Sequence, residues 1–439
     1  MSETLFPMPQ PEPEATAVTP KAAPRMQRAN RDQILMHPSH LESLLPPEHR
    51  ARVVWEFVQG LDLSAFRDRI LAREGHGGRA PFDPAVVLTL WIYATLEAVG
   101  SARLLERLCG EHDAYRWICG GLTINHHTLS DFRNERAVEI DELMAQVVGL
   151  LMETGLVTME RVAQDGVKVR ASAGAPSFRR KASLERCMEE AREQVAALRK
   201  EIGEEPAASE RRRNAARLRG AEERERRVKE ALAQWPQVAA KKQGGDEEKL
   251  AKTRVSTTDA DARVMKMADG GFRPAFNGQF ATDTKSQVIV GVALSNVGND
   301  MSQMTPMLDQ LEGRYGSLPG QYLVDGGFAN REAIADASAR GCAVYAPPAR
   351  HAEGPRAPDT PRKDDVPAVA AWRVRMGTPE AKDIYKQRAA TAECVNAIAR
   401  NRGLRQFLVR GIPKCLSVLT LFALAHNVMR AVELLAANR

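Results

Sequence analysis

Residues 161–174 read RVAQDGVKVRASAG, and this stretch divides the chain. Upstream of it the apolar residues recur at helical spacing. Here they begin to alternate. Ala163, Asp165, Val167 and Val169 fall on one face of a strand, and Gln164, Lys168 and Arg170 on the other, because successive side chains of a strand point to opposite faces. A carboxylate on an apolar face is costly unless it is paired or bound to a metal. The other reading is a strand end at which Asp165 reaches solvent beside Gly166.

Downstream, ARVMKMADGG (262–271), FRPAFNGQFATD (272–283) and SQVIVGVALSNVGND (286–300) continue the strand series. MSQMTPMLDQLEGRYG (301–316) is helical. GQYLVDGGFAN (320–330) is a strand ending at Asp325, with Gly326 and Gly327 turning the chain. REAIADASARG (331–341) is a helix closed by Gly341, and CAVYAPPA (342–349) is another strand. A polar, Pro-rich loop follows over roughly 350–376, then helices over about 378–402 and 413–437. Residues 176–255 interrupt this series. They are dense in Arg, Lys, Glu and Ala, with a thin stripe of Leu184, Val195, Leu198, Ile202, Leu218, Val228 and Leu232. That pattern predicts a long helical pair or coiled coil turning near Pro206, with little contact to the sheet. Without the insertion the order is three strands, helix, strand, helix, strand, helix. The expected fold class is therefore an α/β ribonuclease-H-like domain over 158–439, built on a mixed five-stranded sheet and carrying 176–255 as a helical insertion after its first strand.

Residues 1–33 are rich in proline and poor in large apolar side chains, which predicts a disordered tail. Residues 34–157 read as a helical domain. HLESLLPPEHRARVVWEFVQGLDLSAF (40–66) gives short helices broken at Pro46-Pro47. In GHGGRAPFDPAVVLTLWIYATLEAVGS (75–101), Asp83 caps a buried helix that starts at Pro84. One further helix is expected over 101–121 and a last pair over 125–155. Thr128, Ser130, Arg133 and Arg136 gather at one helix start, as in helix-turn-helix units, which makes Arg133 and Arg136 candidate DNA contacts. A plain helical bundle with ordinary caps is the alternative.

The totals agree with a nucleic-acid partner. Among 439 residues, Lys and Arg number 62 against 56 Asp and Glu, a net charge of +6. The six cysteines form no Cys-x-x-Cys pair and no zinc spacing, as in a reducing cytoplasm. There is no secretory h-region, and the apolar run Cys415–Ala425 is too short for a bilayer. A cytoplasmic, nucleoid-associated bacterial protein without a membrane partner is expected.

Three acids fall where the fold would gather them: Asp165 on the first strand, Asp325 after the fourth, and Glu393 on a later helix. Open α/β sheets bind ligands at the carboxyl ends of their strands. Mg²⁺ prefers carboxylate oxygens and water, and two such ions about 3.5–4 Å apart can activate a nucleophile and stabilise a leaving oxygen in phosphodiester transfer. The predicted cofactor is Mg²⁺ (or Mn²⁺), two ions, on Asp165, Asp325 and Glu393. In YKQRAATAECVNAIARNRG (385–403), Tyr385, Arg388, Glu393 and Arg400 are spaced Y-x2-R-x4-E-x6-R. Glu393 and Arg400, seven apart, share a helix face, with Asn396 close to it. Tyr385, Arg388, Asn396 and Arg400 are candidate DNA contacts. The alternatives are a packing role for Tyr385 and a surface ion pair for Arg400. Asn299-Asp300 either approach the metal site or cap a turn, and His126-His127 open a helix as capping or phosphate-contacting residues. His426-Asn427 are assigned to packing, and so is Trp372 in preference to base stacking.

On these motifs the chain resembles the DDE transposases of bacterial insertion sequences, in the group written IS eleven-eighty-two of the IS four/IS five assemblage. LPPEHRARVVWEFVQGLDLSAF through NHHTLSDFR resembles the InsH-type N-terminal domain. AQDGVKVRASA resembles the first-Asp strand, YLVDGGFAN the second-Asp strand end, and 385–400 the Tyr-Arg-Glu-Lys signature. Two departures stand out: Arg400 replaces the signature Lys, and four residues instead of three separate Arg from Glu. The resemblance implies binding of the element's terminal inverted repeats, cleavage and transfer of 3′-hydroxyl ends to target DNA, and a homo-oligomer, at least a dimer, on DNA. A metal-dependent nuclease and a non-catalytic DNA-binding protein are the alternative readings.

Overall fold

Strand β1 (Arg161–Arg170) runs through the middle of the sheet, and the rest of the α/β half is arranged about it. The computed structural model describes residues 40–70, 72, 80–204, 208–240, 250, 252–348 and 359–438. The tail 1–33 and the expected turn at Pro206 lie outside these. The chain divides into Met1–His40 and Leu41–Arg439, and the second unit holds every element below.

The helical part comes first. It comprises α1 (Arg50–Gln59), α2 (Ser64–Asp68), α3 (Pro84–Leu96), α4 (Ala102–Glu111), α5 (Asp113–Cys119), α6 (His126–Glu135) and α7 (Ala137–Glu153). Asp83 caps α3 as its sequence predicts, its Oδ1 accepting from the Ala85 amide at 2.9 Å, with Pro84 as first residue. Helix α3 is buried on every side, which is why its sequence carries no polar face. The single helix expected over 101–121 is two, because His112 is extended and its Nδ1 accepts from Ala114 N to start α5.

After β1 come β2 (Phe178–Arg179), α8 (Lys181–Glu204), α9 (Ala208–Ala240) and β3 (Val255–Ser256). Helices α8 and α9 pack along each other over small apolar clusters of their own, such as Val195, Leu198 and Ala221. Cross-helix pairs such as Arg199–Glu222 lie on the outside. Strands β2 and β3 pair antiparallel, clasping both ends of the excursion at its base. The sequence reading did not include this clasp, since two residues are too short to show alternation.

The main sheet adds β4 (Arg263–Lys266), β5 (Phe272–Asp283), β6 (Ile289–Ser295), β7 (Gln321–Leu323) and β8 (Ala343–Tyr345). β5 lies antiparallel to β1 from Val162–Asp283 to Arg170–Ala275, while β7 lies parallel on the other side and is followed by β8. The sheet has six strands where five were expected. β5 is twelve residues long, so its outer edge takes two short partners end to end: β4 beside Phe272–Ala275 and β6 beside Asn277–Thr282.

Helices α10 (Met304–Tyr315) and α11 (Arg331–Ala339) connect the later strands. The predicted loop over 350–376 is corrected in its second half, where Pro367–Gly377 forms α12. Pro367 starts this helix, its fixed φ suiting a first turn, and Trp372 is buried at 3% exposure, in the core as expected. Helix α13 (Pro379–Arg388), a π turn (Ala389–Glu393) and α14 (Cys394–Asn401) follow, then α15 (Ile412–Ala437).

Helix α15 spans the range expected for it. By length and composition it could cross a membrane, yet 72% of its most apolar window is buried inside the fold. It packs against α3, α6, α7 and β6. Its first turn is fixed by Asp259 and Asp261, whose carboxylates accept from the Gly411 and Ile412 amides at 3.2 and 2.9 Å. Asn427 acts as a peptide unit for β6: its Oδ1 accepts from Ile289 N and its Nδ2 donates to Ile289 O.

His426, one residue earlier, is 3% exposed, and its Nε2 lies 2.9 Å from the Gln287 carbonyl. Burial lowers its pKa to about 4. Between pH 6.5 and 4 the unfolded chain then binds a proton that the folded protein refuses, so stability falls as pH falls through this window. The full loss from this group is roughly 3 kcal/mol. His426→Gln keeps a donor for the Gln287 carbonyl and does not titrate. Urea unfolding across this range is expected to show a shallower acid decline for the variant, and an unchanged slope refutes the assignment.

Candidate functional site

Four side chains from three parts of the chain form the site. Asp165 lies in the middle of β1, opposite Phe280 of β5. Asp325 follows β7, where its Oδ1 accepts from Gly327 N at 2.7 Å and caps a short 3-10 turn. A Cβ on Gly327 would sit 2.9 Å from that oxygen, which explains the glycine. Glu393 ends the π turn, and Arg388 precedes it.

The π turn brings Arg388 and Glu393 together. In an α-helix, residues five apart point in different directions, whereas i→i+5 bonding makes a wider turn and returns them to one side. Arg388 Nη1 donates to Glu393 Oε1 at 2.9 Å. The fourth intervening residue, a departure visible in the sequence, is accommodated as this bulge. Thr391 Oγ1 donates to the Gln387 carbonyl at 2.8 Å, satisfying one acceptor of the widened turn.

Arg388 also reaches the other two acids. Its Nη2 is 3.0 Å from Asp165 Oδ1 and 3.9 Å from Asp325 Oδ2. The three predicted carboxylates thus meet around one guanidinium. Burial raises the Asp165 carboxyl above the usual range, with Arg388 opposing and Asp325 adding to the rise. Burial also works against the charge on Arg388, but Asp165, Tyr385, Asp325 and Glu393 together hold its pKa above the ordinary arginine value. Asn396 was predicted to meet DNA. It is instead 3% exposed and donates to Asp165 Oδ2 at 2.9 Å, so it orients the carboxylate.

A chain of buried amides lies under Asp165, on the other face of the sheet. Tyr322 Oη donates to Gln164 Oε1 at 2.8 Å, and Gln164 Nε2 donates to Gln279 Oε1 at 2.9 Å. Gln279 and Asn277 donate to Asp300 Oδ1 at 2.6 and 2.7 Å. Gln164 was assigned to a polar face, yet it is fully buried. A Cβ on Gly166 would fall 2.6 Å from Asp300 Oδ1 and 2.9 Å from Asn277 Oδ1, so only glycine leaves room for this network. Asp300 therefore braces the strand that carries Asp165 and does not cap α10. The signal for it was the run of amides at mid-strand positions: Gln164 in β1, Asn277 and Gln279 in β5.

Asp165, Asp325 and Asp300 line an open groove of about 580 Å³ whose other walls include Lys168, Arg170, Lys266, Arg400 and Arg405. Arg400 is exposed in this groove, and among the described residues no acid pairs with it. Tyr385 is half-buried against the main core, and burial raises its phenol pKa. The candidate DNA contact Arg133 does not line this groove. It is 5% exposed, stacked 4.2 Å over the Trp91 ring, and donates to the Gly100 carbonyl. Arg136 bridges to Glu139 at 3.3 Å. His126 lies 2.7 Å from Glu106, and the cap of its helix is Asn125.

The donor set is all carboxylate oxygen, the kind that Mg²⁺ and Mn²⁺ prefer. Among the described residues, however, no three acidic, His or Cys side chains stand close enough to hold one ion. The Arg388 guanidinium lies between the acids.

Residues 360–432 match the sequence family described as Transposase DDE domain, and residues 39–135 match Transposase domain (DUF772). The two matches support a DDE transposase. The DDE match contains Arg388, Glu393, Asn396 and Arg400, while Asp165 and Asp325 lie outside both matches. No curated protein and no solved structure matches the chain.

If the bulge is an accommodated extra residue, removing one residue from it should leave the flanking helices in phase. Deletion of Ala390 is expected to keep the thermal midpoint within a few degrees, about 1 kcal/mol. Deletion of Ala397 in α14 puts Ala399 and Arg400 out of phase and is expected to lose several times more. Equal losses in a thermal melt refute the bulge reading.

Proposed function

We propose that this chain is a DNA transposase that binds the ends of an insertion sequence, cleaves phosphodiester bonds and transfers the 3′-hydroxyl ends to target DNA. The observation that carries the reading is the convergence of Asp165, Asp325 and Glu393 from three separate elements at the edge of a basic groove. The strand order β6-β5-β1-β7-β8, with the first three antiparallel and the last three parallel, supports a ribonuclease-H-like catalytic domain over 158–439. The match to a transposase domain supports assigning end binding to the helical region 34–157. Arg133 and Arg136 are left out of that assignment because both are engaged within the protein. Membership of the IS eleven-eighty-two group, assembly of at least two copies on DNA and a cytoplasmic location are part of the same proposal.

DDE transposases generally use divalent metal ions, and here Asp165, Asp325 and Glu393 would hold them. Such ions, once bound, would polarise the phosphoryl oxygens and activate the attacking hydroxyl. The chain's own residues do the rest. Asn396 fixes the Asp165 carboxylate, and the amide chain behind Gly166 keeps β1 in register. Arg400, Arg405 and Lys168 attract the phosphate backbone along the groove.

Asp165→Asn, Asp325→Asn and Glu393→Gln are each expected to abolish cleavage of duplexes bearing the inverted repeats that flank the coding sequence. Retention of those duplexes in a gel-shift assay is expected to stay close to wild type. A variant that still cuts removes its residue from the site. A wild type that cuts but never joins a supplied 3′-hydroxyl favours a nuclease instead.

Arg400 gives a separate test. Arg400→Ala is expected to weaken both end binding and cleavage and to lower the salt slope of binding by about one. Arg400→Lys keeps a charge able to reach phosphate and is expected to recover much of the loss. Normal cleavage by the Ala variant refutes the phosphate role.

A further inference from the structure

We infer that Arg388 is a resident counter-cation that keeps Asp165, Asp325 and Glu393 from holding a metal ion until a DNA phosphate draws its guanidinium away. The inference rests on the carboxylate site proposed above.

The geometry is direct. One guanidinium lies 3.0, 3.9 and 2.9 Å from the three carboxylates, and its side chain is 10% exposed. Its Nε is buried and, among the described residues, has no hydrogen-bond partner. The acids face each other across this group, and among the described residues no cluster of acids, His or Cys stands close enough to hold an ion. Arg388 was expected to touch DNA, but in the structure it is committed to the acids.

Charge decides what happens on exchange. One guanidinium balances one of three negative charges, whereas a divalent ion balances two. The exchange therefore favours the metal in Coulomb terms, at the cost of leaving a buried guanidinium without a partner. Phosphate is a suitable new partner, since arginine binds it in the same forked geometry as carboxylate. The groove beside the site is walled by Lys168, Arg400 and Arg405, which would bring phosphates to it. Metal and DNA binding are then linked, each tightening the other by the same factor. Arg388 acts here as a positioning residue on the acids, and the π turn that follows it places it among them.

The test uses the full chain and Mn²⁺ titration followed by electron paramagnetic resonance, with the Mn²⁺-induced thermal shift in parallel. Arg388→Ala is compared with wild type, each alone and with a short mixed-sequence duplex at low salt. Arg388→Gln, which keeps most of the side chain's volume, serves if the Ala variant does not fold. Without DNA, the variant is expected to bind Mn²⁺ at least about tenfold more tightly than wild type and to gain more thermal stability from it. Adding Asp165→Asn to the variant should abolish that gain, which locates the ion. DNA should tighten Mn²⁺ binding to wild type and not to the variant. Equal Mn²⁺ affinity in wild type and variant overturns the counter-cation role while leaving the carboxylate site standing. A gain in the variant with no effect of DNA on wild type overturns the exchange with phosphate. No Mn²⁺ binding to either protein, with or without DNA, overturns the metal site as well.

Discussion

Carboxylates brought toward one point repel one another, and a cation among them lets them stay ionised. In this protein that cation is Arg388, and several features of the fold serve to bring four side chains to one point. β1 presents Asp165 from the centre of the sheet. β7 stops after three residues, so that Asp325 can turn inward over a glycine. The helix that carries Arg388 and Glu393 widens by one residue between them. π turns tend to occur at functional positions because they are less favourable than a continuous helix and persist only where the surroundings hold them. Here the ion pair across the bulge is part of what holds it.

The last helix positions the main sheet against the helical region. Asp259 and Asp261 cap its start, Ser417 Oγ donates to the Arg133 carbonyl in the helical region, and Asn427 and His426 bind the backbone around β6. The helical region and the sheet therefore share one core, and Ser417, His426, Asn427 and Arg430 of this apolar helix bind the backbone of other elements. The burial of those groups is also why the helix, though apolar enough to enter a bilayer, reads as a core element. The buried amides behind Gly166 work in the same manner. A satisfied network in a low-dielectric interior fixes one register, because a slip would leave several donors unpaired.

Much of this was legible in the sequence. Alternation located β1, β5 and β6, capping chemistry located α3, and the dense charge of residues 181–240 marked a helical excursion. The three acids could be chosen because topology assigns each a place along the chain. Other features were not legible. Arg388, Asn396 and Arg133 are polar residues on amphipathic segments, and from spacing alone each suits an exposed surface facing DNA. Gln164, Gln279 and Asn277 alternate as if exposed. The helix over Pro367–Gly377 sat within a stretch judged by its prolines, although one of those prolines begins it.

The sequence by itself determined most of the strands and helices and the place of each acid along the chain: Asp165 on the first strand, Asp325 after a later one and Glu393 on a late helix. Those properties follow from local periodicity and from the residue types that start and stop elements. Tertiary structure alone decided where each polar side chain spends its hydrogen bonds. A guanidinium finds carboxylates, and an amide finds another amide across a strand, only when distant parts of the chain are brought within about 3 Å. That distance depends on packing, which no local pattern records. The same arginine that spacing assigns to DNA is for this reason found, in the folded protein, holding the acids.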